Sequence, residues 1–174
     1  MDSSDASKLL ILFILLLFSA FFSSAETCLT TVNKMRLKSM ADEGNKKAAL
    51  VLKLISNQTK MLSSILIGNN IVNLSASSLA TTFAINLAKK SGFSNATSLI
   101  TGAATGIITI LVIIFGEILP KSIATMNADK MSLIYSKPIY TLTVILGPFA
   151  YIFDKFSKLL LKIFHIDITK QPAI

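Results

Sequence analysis

The chain reads Ile113-Ile114-Phe115-Gly116-Glu117-Ile118-Leu119-Pro120-Lys121 at the end of a long apolar segment. A carboxylate at that depth is costly in lipid, so membrane segments retain it for ion or proton chemistry, or because a neighbouring group neutralises it. Pro120 has no N–H to donate to the carbonyl oxygen of Gly116, four residues earlier. The stretch therefore predicts one unpaired backbone oxygen beside one carboxylate, the beginning of an oxygen-lined cation site inside a membrane.

Hydrophobic residues make up 52% of the 174 residues, and they are clustered rather than spaced as in the core of a soluble domain. Three segments carry them, at about residues 8–32, 61–88 and 95–119. Each can cross roughly 30 Å of hydrocarbon as a helix, which takes about 20 residues. These segments predict an all-α membrane protein with three transmembrane helices.

The first segment also contains Ser23-Ser24-Ala25, which has the small residues of a signal-peptidase site. The residues before this segment are acidic rather than basic, and apolar sequence continues through Leu29. These features favour a retained helix over a cleaved signal peptide. Cys28 is the single cysteine of the chain, which excludes an internal disulfide.

The net charge of +8 is concentrated between the first two apolar segments. Under the positive-inside rule this region is cytoplasmic, which places the N-terminus outside and the C-terminus in the cytoplasm of a multi-pass protein of the cell membrane. The short basic stretch Lys89-Lys90 weakly opposes this orientation. Basic residues in this position favour contact with the lipid bilayer over nucleic-acid binding. The cationic side chains of the region are Lys34, Arg36, Lys38, Lys46, Lys47, Lys53 and Lys60, against Asp42 and Glu43.

The remaining segments predict helices at the membrane surface. Residues 34–59 suit two short amphipathic juxtamembrane helices that are broken at Glu43-Gly44-Asn45. Residues 138–165 suit an amphipathic helix in the interface plane, with a fourth crossing as the alternative. Residues 166–174 have no folded ending, so we expect them to begin a linker to a soluble cytoplasmic domain.

Polar residues interrupt each of the three apolar segments. Asn69 and Asn73 are four residues apart and share a helix face, which Ser77 continues. Amide, hydroxyl, carbonyl and carboxylate oxygens are ligands of a hard cation such as Mg²⁺, whereas zinc and copper prefer sulfur and imidazole. The candidate ligands are Ser23, Asn69, Asn73, Gly116 and Glu117, with Ser24, Glu26, Asn70 and Ser77 as weaker candidates and Pro120 as helix-breaking support.

Structural roles compete with this interpretation. Polar and small residues in membrane helices also hold helices together, which is the simplest account of Ser77 and of Gly102 with Gly106. Glu117 and Lys121 are four residues apart and can form an ion pair. The only histidine, His165, lies far from Ser23 and Ser24 in the chain, so nothing predicts a serine hydrolase or another enzyme.

The polar clusters resemble the transmembrane domain of the CorB/CorC/cyclin M (CNNM) family of magnesium transporters. The similar stretches are Phe21-Phe22-Ser23-Ser24-Ala25-Glu26-Thr27, Leu66-Ile67-Gly68-Asn69-Asn70-Ile71-Val72-Asn73 and Phe115-Gly116-Glu117-Ile118-Leu119-Pro120-Lys121. The resemblance covers about residues 8–165, and Ser24 departs from it because the family often has glycine there.

The resemblance implies a homodimer with three transmembrane helices per subunit that exports Mg²⁺ in exchange for Na⁺. It implies that Ser23, Asn69, Asn73 and Gly116-Glu117 with Pro120 take part in ion binding. It also implies a following pair of CBS modules, which bind ATP and are absent from this sequence. A different class of function remains open, a membrane-anchored regulatory scaffold whose polar residues only pack helices.

Overall fold

The computed structural model describes residues 3–90 and 97–163. The segment at 91–96, His165 and the linker expected at 166–174 lie outside the described residues. Within them the chain is all-α, as predicted, and contains no strand. The elements are α1 (Ser3–Thr31), α2 (Lys34–Asp42), α3 (Lys46–Ser56), α4 (Gln58–Lys90), α5 (Thr97–Ile113), a π-helical turn (Ile114–Ile118), α6 (Leu119–Met126) and α7 (Ala128–Ile163).

The two short helices α2 and α3 are separated at the predicted break. Gly44 adopts a φ of +92°, a left-handed conformation that favours glycine because it has no Cβ. Asn45 then caps α3, since its side-chain oxygen accepts hydrogen bonds from the backbone N–H groups of Lys47 and Ala48 at 3.0 and 3.2 Å. In α3 the buried residues recur every three positions, at Ala48, Val51 and Leu54. The helix packs with this face against α7.

Helix α1 occupies the centre of the fold and packs against α4, α6 and α7. Two contacts define its register against α4: Ser19 meets Asn73, and the ring of Phe22 lies against Gly68. Residue numbers rise along α1 while they fall along α4, so the two helices are antiparallel. The core at this junction contains Leu29, Met61, Ile65 and Ile139, all at least 98% buried.

The outside of the long helices is apolar. Exposed large side chains lie along α1, for example Leu10 and Phe13, and along α5, for example Ile107 and Ile110. Two helical stretches, Ala6–Thr31 and Thr101–Met126, are long and apolar enough to cross a membrane. An extended apolar exterior of this kind fits lipid rather than water as its surroundings.

The second of these stretches contains a π-helical turn at Ile114–Ile118, which includes Gly116 and Glu117. The N–H of Leu119 bonds to the carbonyl of Ile114, five residues back, so the helix widens before Pro120. Pro120 then occupies the first turn of α6, where a missing N–H is tolerated. The helix therefore continues to Met126 and passes the end that the sequence predicted at residue 119.

Helix α7 differs from the expectation for residues 138–165. It begins at Ala128 and runs to Ile163 as one helix of 36 residues, with Pro138 and Pro148 inside it. Its buried positions include Ser132, Ser136 and Ile139, which lie among the packed residues of α1, α3 and α4. Whether its far half lies in the interface or crosses the membrane stays a prediction.

Candidate cation site

The polar clusters of α1, α4 and the π-helical turn meet at one level of the fold. The Ser19 hydroxyl donates a hydrogen bond of 2.8 Å to the side-chain oxygen of Asn73 on α4. The same hydroxyl lies 3.3 Å from the carbonyl oxygen of Gly116. Three elements that are distant in sequence therefore share one hydrogen-bonded centre.

The close approach at this centre requires glycine at position 116. A Cβ built there would lie 2.9 Å from Ser19 Oγ and 3.1 Å from Leu16 Cδ1. Any side chain there would force Ser19 or Leu16 to move and would disturb the Ser19 contacts, because protein atoms pack without spare space. The sequence predicted a carbonyl oxygen left unpaired at Gly116, and the structure gives that oxygen a contact with Ser19.

Ser23 and Asn69 lie one helical turn away from this centre, Ser23 later along α1 and Asn69 earlier along α4. Because the helices are antiparallel, both residues are displaced in the same direction. Ser23 is fully buried and Asn69 is only 9% exposed. Ser23 Oγ and Asn69 Oδ1 have no hydrogen-bond partner among the described residues. Buried polar oxygens without partners are rare and costly, so this pair fits a site that a cation completes.

Glu117 lines a cavity of about 170 Å³ together with Ser19 and Asn73. The cavity is partly open and lies between α1, α4, α5 and the π-helical turn, and the predicted residues Asn73, Ser77 and Glu117 line it. Its lining residues are Ser19, Asn73, Ala76, Ser77, Ala80, Ile108, Thr109, Val112, Ile113 and Glu117. The cavity thus extends from Glu117 between α4 and α5 as far as Ala80 on α4 and Ile108 on α5.

The predicted pair between Glu117 and Lys121 is present, with Lys121 Nζ 3.1 Å from Glu117 Oε1. Glu26 on α1 lies near the same ammonium group, at 3.7 Å. Lys121 Nζ therefore lies within 4 Å of both Glu117 and the weaker candidate Glu26. Among the described residues no group of three or more His, Cys, Asp or Glu side chains is arranged to hold a metal ion. A cation here depends mainly on neutral oxygens.

The other weak candidates differ in position. Ser24 is buried, and its hydroxyl contacts the carbonyl oxygens of Ala20 at 2.7 Å and Pro120 at 3.4 Å. These contacts connect α1 with α6, and the role of Ser24 as a ligand stays a prediction. Asn70 is exposed and does not line the cavity, although it is adjacent to Asn69 in the chain.

Sequence reasoning missed Ser19, which holds the centre together, and two threonines on α5. Thr109 lines the cavity, and the buried hydroxyl of Thr105 has no partner among the described residues. Ser19 is four residues before Ser23 and thus on the same helix face, a spacing that is a weak signal because a single serine in an apolar run is typical of helix packing. The threonines are also four residues apart, in a segment where the sequence drew attention only to glycines.

Comparison with known proteins relates the chain to one family. The family model for the cyclin M transmembrane N-terminal domain (CNNM) matches residues 10–174. A UPF0053 protein of Haemophilus influenzae is 38% identical over 175 residues, which cover 100% of the chain and 40% of that protein.

Two further relatives are similar over most of the chain. The UPF0053 inner membrane protein YfjD of Escherichia coli is 34% identical over 85% of the chain and 33% of its own length. A chloroplastic DUF21 domain-containing protein of Arabidopsis thaliana is 34% identical over 95% of the chain and 24% of its own length. The chain therefore spans about two fifths or less of these relatives.

Proposed function

This chain belongs to the cyclin M (CNNM) transmembrane-domain family, and we propose that it is the ion-translocating part of a Mg²⁺ transporter rather than an enzyme. The observation that carries the proposal is the pair of buried oxygens Ser23 Oγ and Asn69 Oδ1, which have no hydrogen-bond partner within residues 3–90 and 97–163. They lie one helical turn from the centre formed by Asn73 and Gly116, and Glu117 supplies a negative charge nearby.

The proposed ligand set matches the chemistry of a hard divalent cation. Ser23, Asn69 and Asn73 offer neutral oxygens, Gly116 offers its carbonyl oxygen, and Glu117 offers a carboxylate. Mg²⁺ prefers oxygen ligands in near-octahedral geometry, and a single carboxylate leaves a bound divalent ion under-neutralised. Such a site releases its ion readily, as transport requires.

We further propose that the bundle crosses the membrane three times, with α1, α4 and the α5–α6 stretch as the crossings. Helix α4 has 33 residues and a length of about 50 Å, enough to cross despite its polar residues. The N-terminus then lies outside, and α2 and α3 lie at the cytoplasmic surface. The cavity beside Glu117 extends away from α2 and α3, so it forms the outward half of the ion path.

The remaining proposals follow from the resemblance. Transport is Mg²⁺ export driven by Na⁺ entry, and the functional unit is a homodimer whose ATP-binding CBS modules belong to a longer protein. Gly102 and Gly106 on α5 support a dimer contact, since a Cβ at either position would meet nothing within 4 Å among the described residues beyond its own stretch of helix. Small residues exposed in this way let a second membrane helix approach closely.

The test is a calorimetric Mg²⁺ titration of the detergent-purified chain and of Glu117→Gln, with and without Na⁺. We expect saturable binding by the unmodified chain, and a loss of affinity of more than about tenfold, or about 1.4 kcal/mol, in the variant. Glu43→Gln is the matched control, because Glu43 is exposed at the end of α2 and carries the same charge.

The outcome separates the two classes of function. Equal loss in Glu43→Gln would attribute the effect to net charge rather than to a site at Glu117. A folded chain that does not bind Mg²⁺ would contradict the proposal and favour a scaffold whose polar residues only pack helices.

A further inference from the structure

Lys121 contacts two carboxylates, one from its own membrane stretch and one from α1. Its Nζ lies 3.1 Å from Glu117 Oε1 and 3.7 Å from Glu26 Oε2. The shorter distance is within hydrogen-bonding range and the longer is not. The ammonium group is therefore hydrogen-bonded to Glu117, and a small movement of the lysine side chain would bring it into hydrogen-bonding range of Glu26.

The two carboxylates have different surroundings. Glu117 lines the cavity with Ser19 and Asn73, whereas Lys121 and Glu26 are not among the residues that line it. An ion that reaches Glu117 through the cavity therefore meets a carboxylate whose charge is already neutralised by Lys121. The ion and the ammonium group compete for the same oxygen atoms.

The ion pair is suited to exchange. The side chains of Lys121, Glu117 and Glu26 are 37%, 43% and 39% exposed, so tight packing does not fix the ammonium group against either carboxylate. Lysine carries its charge at the end of a flexible four-carbon chain, so the ammonium group can change partner without movement of the helix. A divalent ion at Glu117 repels the ammonium group, and Glu26 is the acceptor within reach.

We propose that Lys121 is a tethered counter-cation, which neutralises Glu117 while the site is empty and transfers to Glu26 when Mg²⁺ binds. This inference rests on the proposed function, because it requires Mg²⁺ at Glu117. The ion pair with Lys121 stabilises the empty site, because an unpaired carboxylate between membrane helices is costly. Glu26 then acts as a positioning residue for Lys121 and not as a ligand.

The experiment is a double-mutant cycle with calorimetric Mg²⁺ affinity as its readout. Lys121→Met removes the competitor and raises the affinity about two- to fivefold, the range expected for an exposed ion pair. Glu26→Gln lowers the affinity by a similar factor, because the ammonium group has no second acceptor. In the Lys121→Met background, Glu26→Gln has no effect, since Glu26 acts only through Lys121.

The controls separate this exchange from general electrostatics. Lys137→Met removes the same charge from an exposed position on α7 and leaves the affinity unchanged. Lys121→Gln is a second neutral variant that repeats the effect of Lys121→Met if methionine disturbs folding. Additive effects in the double variant would overturn the inference, because independent surface charges add.

An unchanged or lowered affinity in both neutral Lys121 variants would also overturn the inference, while leaving the proposed function intact. An absence of Mg²⁺ binding by the unmodified chain has a different meaning, because it contradicts the proposed function and the inference falls with it.

Discussion

The hydroxyl of Ser19 bonds to the side-chain oxygen of Asn73 at 2.8 Å, although the two residues are 54 positions apart in the chain. Through its second contact, with Gly116, the same hydroxyl joins α1, α4 and the π-helical turn at one level. Asn73 and Gly116 are both proposed ligands. In the proposed site Ser19 therefore has the position of an outer-shell partner, which holds two ligand oxygens in place as in known metal sites.

Replacing Ser19 by alanine should weaken Mg²⁺ binding about tenfold, because outer-shell partners of metal ligands contribute effects of this size. The measurement is calorimetric affinity in the detergent-purified chain. Ser75→Ala is the matched control, since Ser75 is exposed on α4 and bonds only to the Ile71 carbonyl of its own helix. Unchanged affinity in Ser19→Ala would show that Asn73 and Gly116 are oriented without this hydroxyl.

Replacing Asn69 by leucine should have opposite effects on the two properties, raising the stability of the ion-free chain and abolishing Mg²⁺ binding. The buried Asn69 oxygen has no partner among the described residues, so its removal should raise the free energy of unfolding without Mg²⁺ by about 1 kcal/mol. Mg²⁺ should then no longer stabilise the variant, because ligand-induced stabilisation requires binding. Thermal unfolding with and without Mg²⁺ measures both effects.

The neighbouring variant Asn70→Leu is the control for this experiment, because Asn70 is exposed and does not line the cavity. It should retain the stabilisation by Mg²⁺. A loss of stability in Asn69→Leu without Mg²⁺ would instead indicate that Asn69 holds helices together, as the scaffold interpretation requires.

Replacing Gly68 by alanine should separate α1 from α4. A Cβ at this position would lie 2.7 Å from the ring of Phe22, and overpacking of this kind costs about 1–3 kcal/mol. The free energy of unfolding should fall by that amount, and Phe22→Leu should restore part of it in the double variant. Ser75→Ala is the control, since Ser75 is exposed on the same helix and bonds only to the Ile71 carbonyl of that helix. Destabilisation of equal size in both alanine variants would exclude the Phe22 contact as the cause.

The proposed orientation predicts which side of the membrane each surface faces. In a Cys28→Ala background, a cysteine at Ala6 should react with a membrane-impermeant maleimide added to intact cells. A cysteine at Lys47 should react only after permeabilisation. Both positions are exposed in the structure, so access to the reagent depends on the membrane alone. Labelling of Lys47→Cys in intact cells would reverse the orientation.

Local sequence signals were sufficient for the parts of the fold that depend on neighbouring residues. The break at Glu43-Gly44-Asn45 follows from a glycine and a capping asparagine, and the structure has it there. The shared face of Asn69 and Asn73 follows from helical spacing. Both residues lie on the side of α4 that meets α1, while Asn70 is exposed.

Other features depend on contacts between residues that are far apart in the chain, which local sequence patterns do not reveal. Ser19 was missed because a single serine in an apolar run reads as a packing residue, and its partners are 54 and 97 positions away. Helix α7 begins ten residues before the predicted segment and continues through Pro138 and Pro148, since its contacts with α1, α3 and α4 outweigh the local cost of proline. Pro120 predicted an unpaired carbonyl and not the wider turn that precedes it.

The wider turn has a consequence for the rotational phase of the helix. One surplus residue shifts everything after it by about 100° around the axis, so a stripe that begins on α5 does not continue on α6. The two halves of the stretch accordingly face different neighbours, α5 against α4 and α6 against α1. Deleting one residue from Ile114–Ile118 would restore a regular α-helix, in which the stripe of α5 continues on α6. The helix could then no longer direct its two packing faces at α4 and α1 as it does now, and the direction of the Glu117 side chain would change. The α5–α6 stretch thus packs against α4 with one face before the turn and against α1 with a different face after it. Glu117 lies in the turn where the packing face changes.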